Sequence, residues 1–491
     1  MRLNSYNTMK KRDFLKKSLL VGSGIAAAGF TSAMPGMQTS LSEADNVPTR
    51  SFDVIVVGGG SAGVMAAIAS ARTGAKTALI EWKGYTGGTI TEGGTALHSY
   101  FNTWRAFDGV AKRQLIKGIP QEIIERLVKI GGSAGHVEMQ AHYRYDSVCT
   151  SVDTELYKLV SMEMITEAGV DLFLNTMACG AVMDGSKIRG VFVESHAGRE
   201  YFTAKSFIDS SAYGDLAAHA GARFTEPNDY PVCNSMGVGN IDLKKYYDYL
   251  KSNDMVRELA VGSYEGEDNQ VVRIGAEDQR LPEVLTRGLK DLSVNTISTT
   301  VHKNYLMFIK CGYKLATRST DRDEITKAEL IIRKNQLKAI ELFRKYMPGF
   351  ENAFITRTSP SLTIRRARCI ECDYDISNAE ITGGVHFPDD VFVYGFHDMA
   401  PRFLVKDGGS YGFPYRAACP KGIDNLYTIG MMITSENTAH MSTRNTVSCM
   451  AQGQSFGTAA ALCAQQNVGI RQLPYATLRK KLEADGVYFE S

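Results

Sequence analysis

The segment Ser51–Glu81, SFDVIVVGGGSAGVMAAIASARTGAKTALIE, constrains the fold of this 491-residue chain more than any other. Four apolar residues, Val54 to Val57, have the length and character of a buried parallel strand. Gly58, Gly60 and Gly63 then form G-x-G-x-x-G at the turn into a helix predicted over Val64–Arg72. A second strand follows over Thr77–Ile80 and ends at the acidic Glu81. The first glycine serves a tight turn, the second lets backbone approach a pyrophosphate, and the third allows close packing of helix on strand. The helix N-terminus faces the phosphates, and Glu81 stands where a carboxylate takes ribose hydroxyls. The glycine spacing alone is a weak signal. Strand, turn, helix, strand and acid together predict a dinucleotide site.

Later segments narrow the choice. Gly87-Gly88 and Gly93-Gly94 share the loop TGGTITEGG. Ala204–Ala222 reads as a strand, a tight Asp-Ser-Ser-Ala turn, and Gly214-Asp215 opening a helix. Tyr411–Cys463 carries Pro414-Tyr415-Arg416, Pro420-Lys421-Gly422, Asp424-Asn425-Leu426, Gly430, Arg444, Cys449-Met450-Ala451 and Gly453-Gln454. Gly118-Ile119-Pro120-x-Glu122 with Arg126-Leu127, and Leu362-x-Ile364-Arg365-x-x-Arg368 with Tyr374, extend the pattern. From Phe52 to about Gln465 the chain thereby resembles the FAD-dependent oxidoreductases with a glutathione-reductase-type FAD domain, distant relatives of the fumarate reductases.

The resemblance implies an α/β fold: a Rossmann-like FAD-binding domain with a small β-meander, plus an inserted α+β substrate domain. FAD is the implied cofactor. Its expected contacts are Gly58, Gly60, Ser61, Ala62, Gly63, Glu81, Trp82, Gly87, Gly88, Thr89, Gly94, Ala178, Ser210, Ser211, Gly214, Gly430, Ser448, Gln452 and Gly453. The chain departs from the family pattern near the expected flavin edge. Ser210-Ser211-Ala212 replaces Ala-Thr-Gly, Met431 replaces an arginine, Asn437-Thr438 replaces His-Glu, and a histidine stands at His440 instead.

The candidate catalytic residues are His440, Arg444 and Asn437 from the closing segment, with Tyr415 and His98 from other loops. A histidine suits proton abstraction because its pKa lies near operating pH, and an arginine suits the negative charge of a reduced flavin. Arg365 and Arg368 read either as a clamp for a substrate carboxylate or sulfate, or as structural ion pairs. No second strand–G-x-G-x-x-G–helix unit, haem motif or iron–sulfur spacing occurs. The expected electron acceptor is therefore separate: a small molecule, a quinone, a protein or O2. Three functions fit. One is a dehydrogenase or oxidase acting on a CH–OH or CH–NH group of a small molecule such as a sugar or glycoside. The second is a fumarate-reductase-like reductase using Arg365, Arg368, Arg402 and Arg444. The third is a flavin-bearing binding protein without turnover.

Charge and composition set limits. Lys+Arg 55 against Asp+Glu 53 gives a net charge of +2, which implies no nucleic-acid partner. After Val47 no apolar run reaches the ~20 residues that span a bilayer. Lys10-Lys11-Arg12-Asp13-Phe14-Leu15-Lys16-Lys17, the Gly/Ala-rich run Ser18–Phe30 and the small residues Thr31-Ser32-Ala33 read as a twin-arginine-like export signal with a lysine in the first arginine's place. This predicts an exported, periplasmic protein, with an ordinary secretory signal or a retained anchor as the alternatives. The expected layout is residues 1–49 for signal and linker, 50–222 and 410–491 for the FAD domain, and 223–409 for the substrate domain. Helices are expected over Gln121–Ile130, Asp153–Ala168 and Asp323–Tyr346, and a hairpin turn at Asp184-Gly185-Ser186-Lys187. Nine scattered cysteines form no disulfide framework. The spacing Cys369-x-x-Cys372 is set in a strand pattern that does not suit a redox dithiol.

Overall fold

The computed structural model describes residues 44, 46–94, 97–102, 111–140, 147–399, 402–406, 409–433 and 435–490, the His98 side chain excepted. The export-signal reading rests on residues 1–43, which lie outside this set. Among the described residues, no helix is long and apolar enough to cross a membrane.

A five-stranded parallel sheet organises the dinucleotide layer. Its spatial order is Leu426–Thr428, Ser206–Asp209, Val54–Val57, Thr77–Ile80 and Asp171–Phe173. Its two flanking cores explain why Val54–Val57 is apolar at every position rather than at alternate ones. Val54 and Val56 pack towards two helices, Ser61–Arg72 and Thr446–Gln466. Ile55 and Val57 pack towards the opposite face. There a meander of Met177–Asp184, Lys187–Ser195 and Gly198–Thr203 is joined by Thr49–Ser51. The meander turns at Asp184 and Lys187, where the sequence places the hairpin.

The two helices are made of small residues because they cross at backbone contact. A Cβ on Gly453 would stand 2.2 Å from the Ala62 carbonyl oxygen, and one on Gly457 2.2 Å from that of Ala66. The first helix starts at Ser61 rather than at Val64, with Gly60 as its N-cap.

The second layer is a six-stranded antiparallel sheet. Its order is Val256–Tyr264, Glu267–Ala276, Ser298–Thr299, Tyr305–Tyr313, Val232–Gly239 and Phe354–Thr358. Residues of Leu243–Ser252, Glu283–Asp291 and the long helix Arg322–Tyr346 share its core. Asp321 caps the long helix by accepting from the Asp323 and Glu324 amides. This is the inserted α+β unit. By packing it ends earlier than residue 409. Ile376, Ile381, Val391–Tyr394, Phe396 and Val405 belong to the core of the dinucleotide layer, because the apolar strand Asp390–Tyr394 pairs with Tyr411–Pro414.

All nine cysteines are thiols, eight of them buried and Cys179 half-buried. Cys369 sits in the two-residue strand Cys369–Ile370 and accepts from Arg366 Nε at 2.8 Å. The Cys372 sulfur is 3.4 Å from the Thr428 hydroxyl. Neither opens a helix, and burial pushes the Cys369 thiol up. One thiol, Cys179, is expected to react promptly with a disulfide reagent in the native protein, and nine after unfolding. Prompt native reaction at Cys369 or Cys372 would restore the redox reading.

Candidate functional site

The carboxyl ends of the parallel strands open onto a groove of about 500 Å³. Neighbouring strands lie ~4.8 Å apart, so strand order is also residue order along the groove. Thr176–Ala178 follows Asp171–Phe173, Glu81 and Trp82 follow Thr77–Ile80, and Gly58 and Gly60 follow Val54–Val57. Ser210 and Ser211 follow Ser206–Asp209, and Met431 lies beyond Leu426–Thr428. Strands run to either side of Val54–Val57, so the groove crosses the point where strand order reverses, the usual ligand crevice of such sheets. The second layer contributes Leu362, Thr363 and Ile364 to its wall.

Two glycines show how backbone shapes this groove. Gly58 has φ +98°, and a Cβ there would stand 2.6 Å from the Ser210 carbonyl oxygen. Gly60, in contrast, has φ −73°, and a Cβ there would meet nothing within 4 Å. Its open side faces the groove it lines. No side chain caps the helix it begins, so the first-turn N–H groups remain available to an anion. Ser61 and Ala62 sit in that first turn. The Ser61 hydroxyl donates to the Gly87 carbonyl at 3.2 Å, and Gly63 packs against Gly58, where a Cβ would stand 1.8 Å from its oxygen.

Glu81 accepts from the Gly59 amide at 2.6 Å and the Lys83 amide at 2.8 Å, one bond on each carboxylate oxygen. Each oxygen keeps acceptor capacity for a hydroxyl. Burial raises its pKa, opposed by those two amides. Trp82, Gly88, Thr89, Ala178, Ser210 and Ser211, all expected cofactor contacts, also line the groove.

The remaining expected contacts act one step back. Gly87 abuts Thr91 and Tyr157, and Gly214 abuts Ile370. Gly94 abuts Met307, and its carbonyl accepts from the Thr299 hydroxyl at 3.1 Å. The Gly430 amide donates to Gln452 Oε1 at 2.7 Å, and Gln452 Nε2 donates to the Thr443 carbonyl and to the Ser448 hydroxyl. Gln452 and Ser448 therefore hold the turn that carries Met431 rather than line the groove.

Gly453 is likewise a packing residue, set against Ala62. Gly453→Ala is expected to cost about 1–3 kcal/mol of stability by forcing the helices apart, with cofactor affinity little changed. Denaturant melts of cofactor-free protein and a binding titration test this. Lost affinity at unchanged stability would make Gly453 a contact.

The catalytic candidates fare differently. Tyr415 is a core residue, whose hydroxyl donates to the Ile470 carbonyl at 2.6 Å and whose ring packs on Phe456. The resemblance marked its position but could not separate a lining residue from a core one. Asn437 is exposed and donates to Asp229 at 2.6 Å. His98 lies on the short strand Leu97–His98, and its side chain is outside the described residues.

His440 is fully buried. Its Nε2 donates to the Met431 carbonyl at 3.0 Å, and Nδ1 lies 3.3 Å from the Tyr230 hydroxyl, which also reaches the Asn437 carbonyl at 3.2 Å. Burial, with Arg366 and Arg444 adding to it, pushes its pKa well below the usual range. Both nitrogens are engaged and the ring stays neutral, so His440 positions Met431 and Tyr230 and is not the base. Arg444 pairs with Asp398 at 2.6 Å and stacks over the Tyr230 ring at 5.1 Å. Arg368 pairs with Asp215 at 2.8 Å, the structural alternative.

The sequence pattern does not single out Lys310. In the strand Tyr305–Tyr313, Met236 pairs with Ile309 and Val238 with Leu306. Met307 and Phe308 thus face Gly237 alone, a β-bulge in which Phe308 takes φ +71°. Leu306, Ile309 and Cys311 enter the core of the sheet insert, whereas Met307 meets Gly94 and Lys310 lies over the Phe308 ring at 4.4 Å. Lys310 is half-buried and, among the described residues, its ammonium has no hydrogen bond or ion pair, while its carbonyl accepts from the Asn295 amide at 3.2 Å. Burial first and the charge of Arg365 second push its pKa down to about 8, with Arg273 also lowering it and Cys233 and Asp398 opposing. A single lysine within the run YLMFIKCGY was the available signal.

Residues 53–482 match the protein-family model described as FAD dependent oxidoreductase. The chain belongs to the FAD-dependent oxidoreductase family. The chain is also 29% identical over 194 residues to a tRNA uridine 5-carboxymethylaminomethyl modification enzyme, MnmG, of Dichelobacter nodosus (strain VCS1703A), covering 38% of this chain and 29% of that one. It is 25% identical over 152 residues to a digeranylgeranylglycerophospholipid reductase of Methanoculleus marisnigri (strain ATCC 35101 / DSM 1498 / JR1), covering 30% and 35%. The chain thus spans about a third of the length of these curated relatives. Among solved structures, a geranylgeranyl bacteriochlorophyll reductase-like protein from Thermoplasma acidophilum aligns over 89% of this chain and 83% of that one. The identity is 12% and the TM-score 0.47.

FAD fits the groove of this FAD-dependent oxidoreductase. The open face of Gly60 and the uncapped helix suit its pyrophosphate, and Glu81 suits the adenosine ribose. Ser210, Ser211 and Met431, further along the groove in strand order, would hold the flavin half.

Proposed function

We propose that this FAD-dependent oxidoreductase is a dehydrogenase or oxidase acting on a CH–OH or CH–NH group of a small molecule such as a sugar, glycoside or other hydroxy compound. Bound FAD supplies the two-electron acceptor, with hydride received at its N5. The observation that carries the reading is the placement of Lys310, a half-buried amine over the Phe308 ring whose ammonium has no hydrogen bond or ion pair among the described residues, and burial pushes it down to about 8. A lysine tuned to that range is a competent general base for a hydroxyl or ammonium proton.

Its surroundings support this assignment. On the same strand, Met307 meets the groove loop at Gly94. Asp398, whose charge acts on Lys310, is bound to Arg444, which stacks on Tyr230, and Tyr230 leads through His440 to Met431. Lys310 takes the proton, the apolar Met307 and Phe308 limit water around it, and His440 holds the Met431 turn in place. The acceptor that reoxidises the enzyme is a separate small molecule, quinone, protein or O2. The basic and Gly/Ala-rich segment at residues 10–33 supports an exported, periplasmic location.

The test is anaerobic bleaching of the bound flavin by a panel of sugars, glycosides, polyols, amines and hydroxy acids, followed by air. Bleaching by one donor class is the expected result, and recolouring in air marks an oxidase. No bleaching by any donor, with reoxidation of chemically reduced flavin by an unsaturated acid, would move the assignment to a double-bond reductase. Bleaching by none and reoxidation by none would leave a flavin-bearing binding protein.

A further inference from the structure

Several arginines in or near this region have an anionic partner. Arg366 binds Asp229 at 2.9 Å, Arg368 binds Asp215 at 2.8 Å, Arg444 binds Asp398 at 2.6 Å, and Arg273 binds Glu258 at 2.7 Å. Arg365 is half-buried, and among the described residues it makes no hydrogen bond and no ion pair. A guanidinium cannot shed its proton to escape burial, so a partly desolvated one without an anion is costly unless a ligand brings the anion.

The backbone that carries Arg365 is fixed on both sides. Thr363 exchanges two backbone hydrogen bonds with Cys233, at 3.1 and 2.7 Å. Ile364 is buried in the core of the sheet insert while also lining the groove. Arg366 is held by Asp229 and by the Ser435 carbonyl at 2.6 Å. Arg365 therefore stands on a fixed stretch of backbone, one residue beyond the groove-lining Ile364, and its charge is felt at Lys310.

We infer that Arg365 is the anchor for a carboxylate on the substrate, so that the oxidised CH–OH or CH–NH group belongs to a hydroxy acid, an amino acid or a sugar acid. The inference rests on the proposed reaction for its substrate, but the anion site itself does not need turnover. A guanidinium takes a carboxylate through two parallel N–H···O bonds. With the carboxylate held there, the neighbouring Lys310 is placed for the proton of the adjoining group.

The test uses the FAD-loaded protein, titrated with sodium acetate, sodium sulfate and sodium phosphate at constant ionic strength. The readouts are the visible flavin spectrum and the melting temperature. Acetate is expected to saturate a change in at least one readout. Arg365→Met is expected to weaken it at least about tenfold, with FAD content unchanged. Arg365→Lys, which keeps the charge but not the fork, is expected to fall between the two, and it serves as the test if Arg365→Met does not fold. No saturable response to acetate in the wild type, or wild-type acetate affinity in the variant, would overturn the site. Sulfate or phosphate binding tighter than acetate would overturn the carboxylate assignment. Acetate binding through Arg365 with no donor able to bleach the flavin would leave the site standing and remove the proposed reaction.

Discussion

Gly60→Val is expected to give a folded protein that no longer retains FAD. The position has backbone angles open to any residue, φ −73° and ψ −170°, and a Cβ there would meet nothing within 4 Å. The cost to the apoprotein is therefore small, within about 0.5 kcal/mol. The same open space is what the pyrophosphate needs against the helix N-terminus, and two branched methyl groups would fill it. The FAD dissociation constant is expected to rise at least about a hundredfold, equivalent to ~2.7 kcal/mol. Gly63→Ala provides the contrast. There a Cβ would stand 1.8 Å from the Gly58 carbonyl oxygen, so the loss is of stability first. A Gly60→Val protein that stays yellow through gel filtration would remove the groove as the FAD site.

Lys310→Met is expected to keep FAD and to lower the rate of substrate-driven flavin reduction by roughly 10²–10⁴-fold, the span of general base catalysis. The wild-type rate should depend on pH with a defined sign. Lys310 acts as a base only after losing its proton, so the rate is low below its pKa, rises through about 8 and levels off above it. Arg365 and Arg273 face Lys310 with positive charge, whereas Cys233 and Asp398 oppose them. A substrate carboxylate bound at Arg365 would neutralise part of that field and move the rise to higher pH in the complex. In Lys310→Met this limb should vanish. A variant that keeps both the rate and the pH dependence would exclude Lys310 from the proton step.

The parts of the fold that are local in sequence were legible there. Val54–Val57, Thr77–Ile80 and the meander turn at Asp184–Lys187 lie where apolar runs and turn residues put them, because each is specified within a few residues. Packing decides the helix Leu243–Ser252, which lies in a polar run rich in lysine and tyrosine. Leu243, Tyr246 and Leu250 form one buried stripe at helical spacing, and Asp242 caps it.

The site was legible only as far as backbone dictated it. Gly58, Gly60 and Glu81 follow from the strand–turn–helix unit itself. The roles of Gly453 and Gln452 depend on how the helix Thr446–Gln466 crosses Ser61–Arg72, and sequence spacing does not encode that crossing. Histidine chemistry pointed to His440, but burial and two hydrogen bonds make it a positioning residue. Lys310 and Arg365 matter because of their half-buried side chains, which have no ionic partner among the described residues, and such burial is set by tertiary packing that spacing does not reveal.

The most direct test of the cofactor site is an experimental structure of the FAD-loaded protein. The pyrophosphate is expected at Gly60 and the start of the helix Ser61–Arg72, the adenosine ribose on Glu81, and the flavin ring at the Met431 end with Lys310 and Arg365 nearby. A ring placed at the Trp82 end, or FAD bound outside this groove, would contradict both the site and the proposed chemistry.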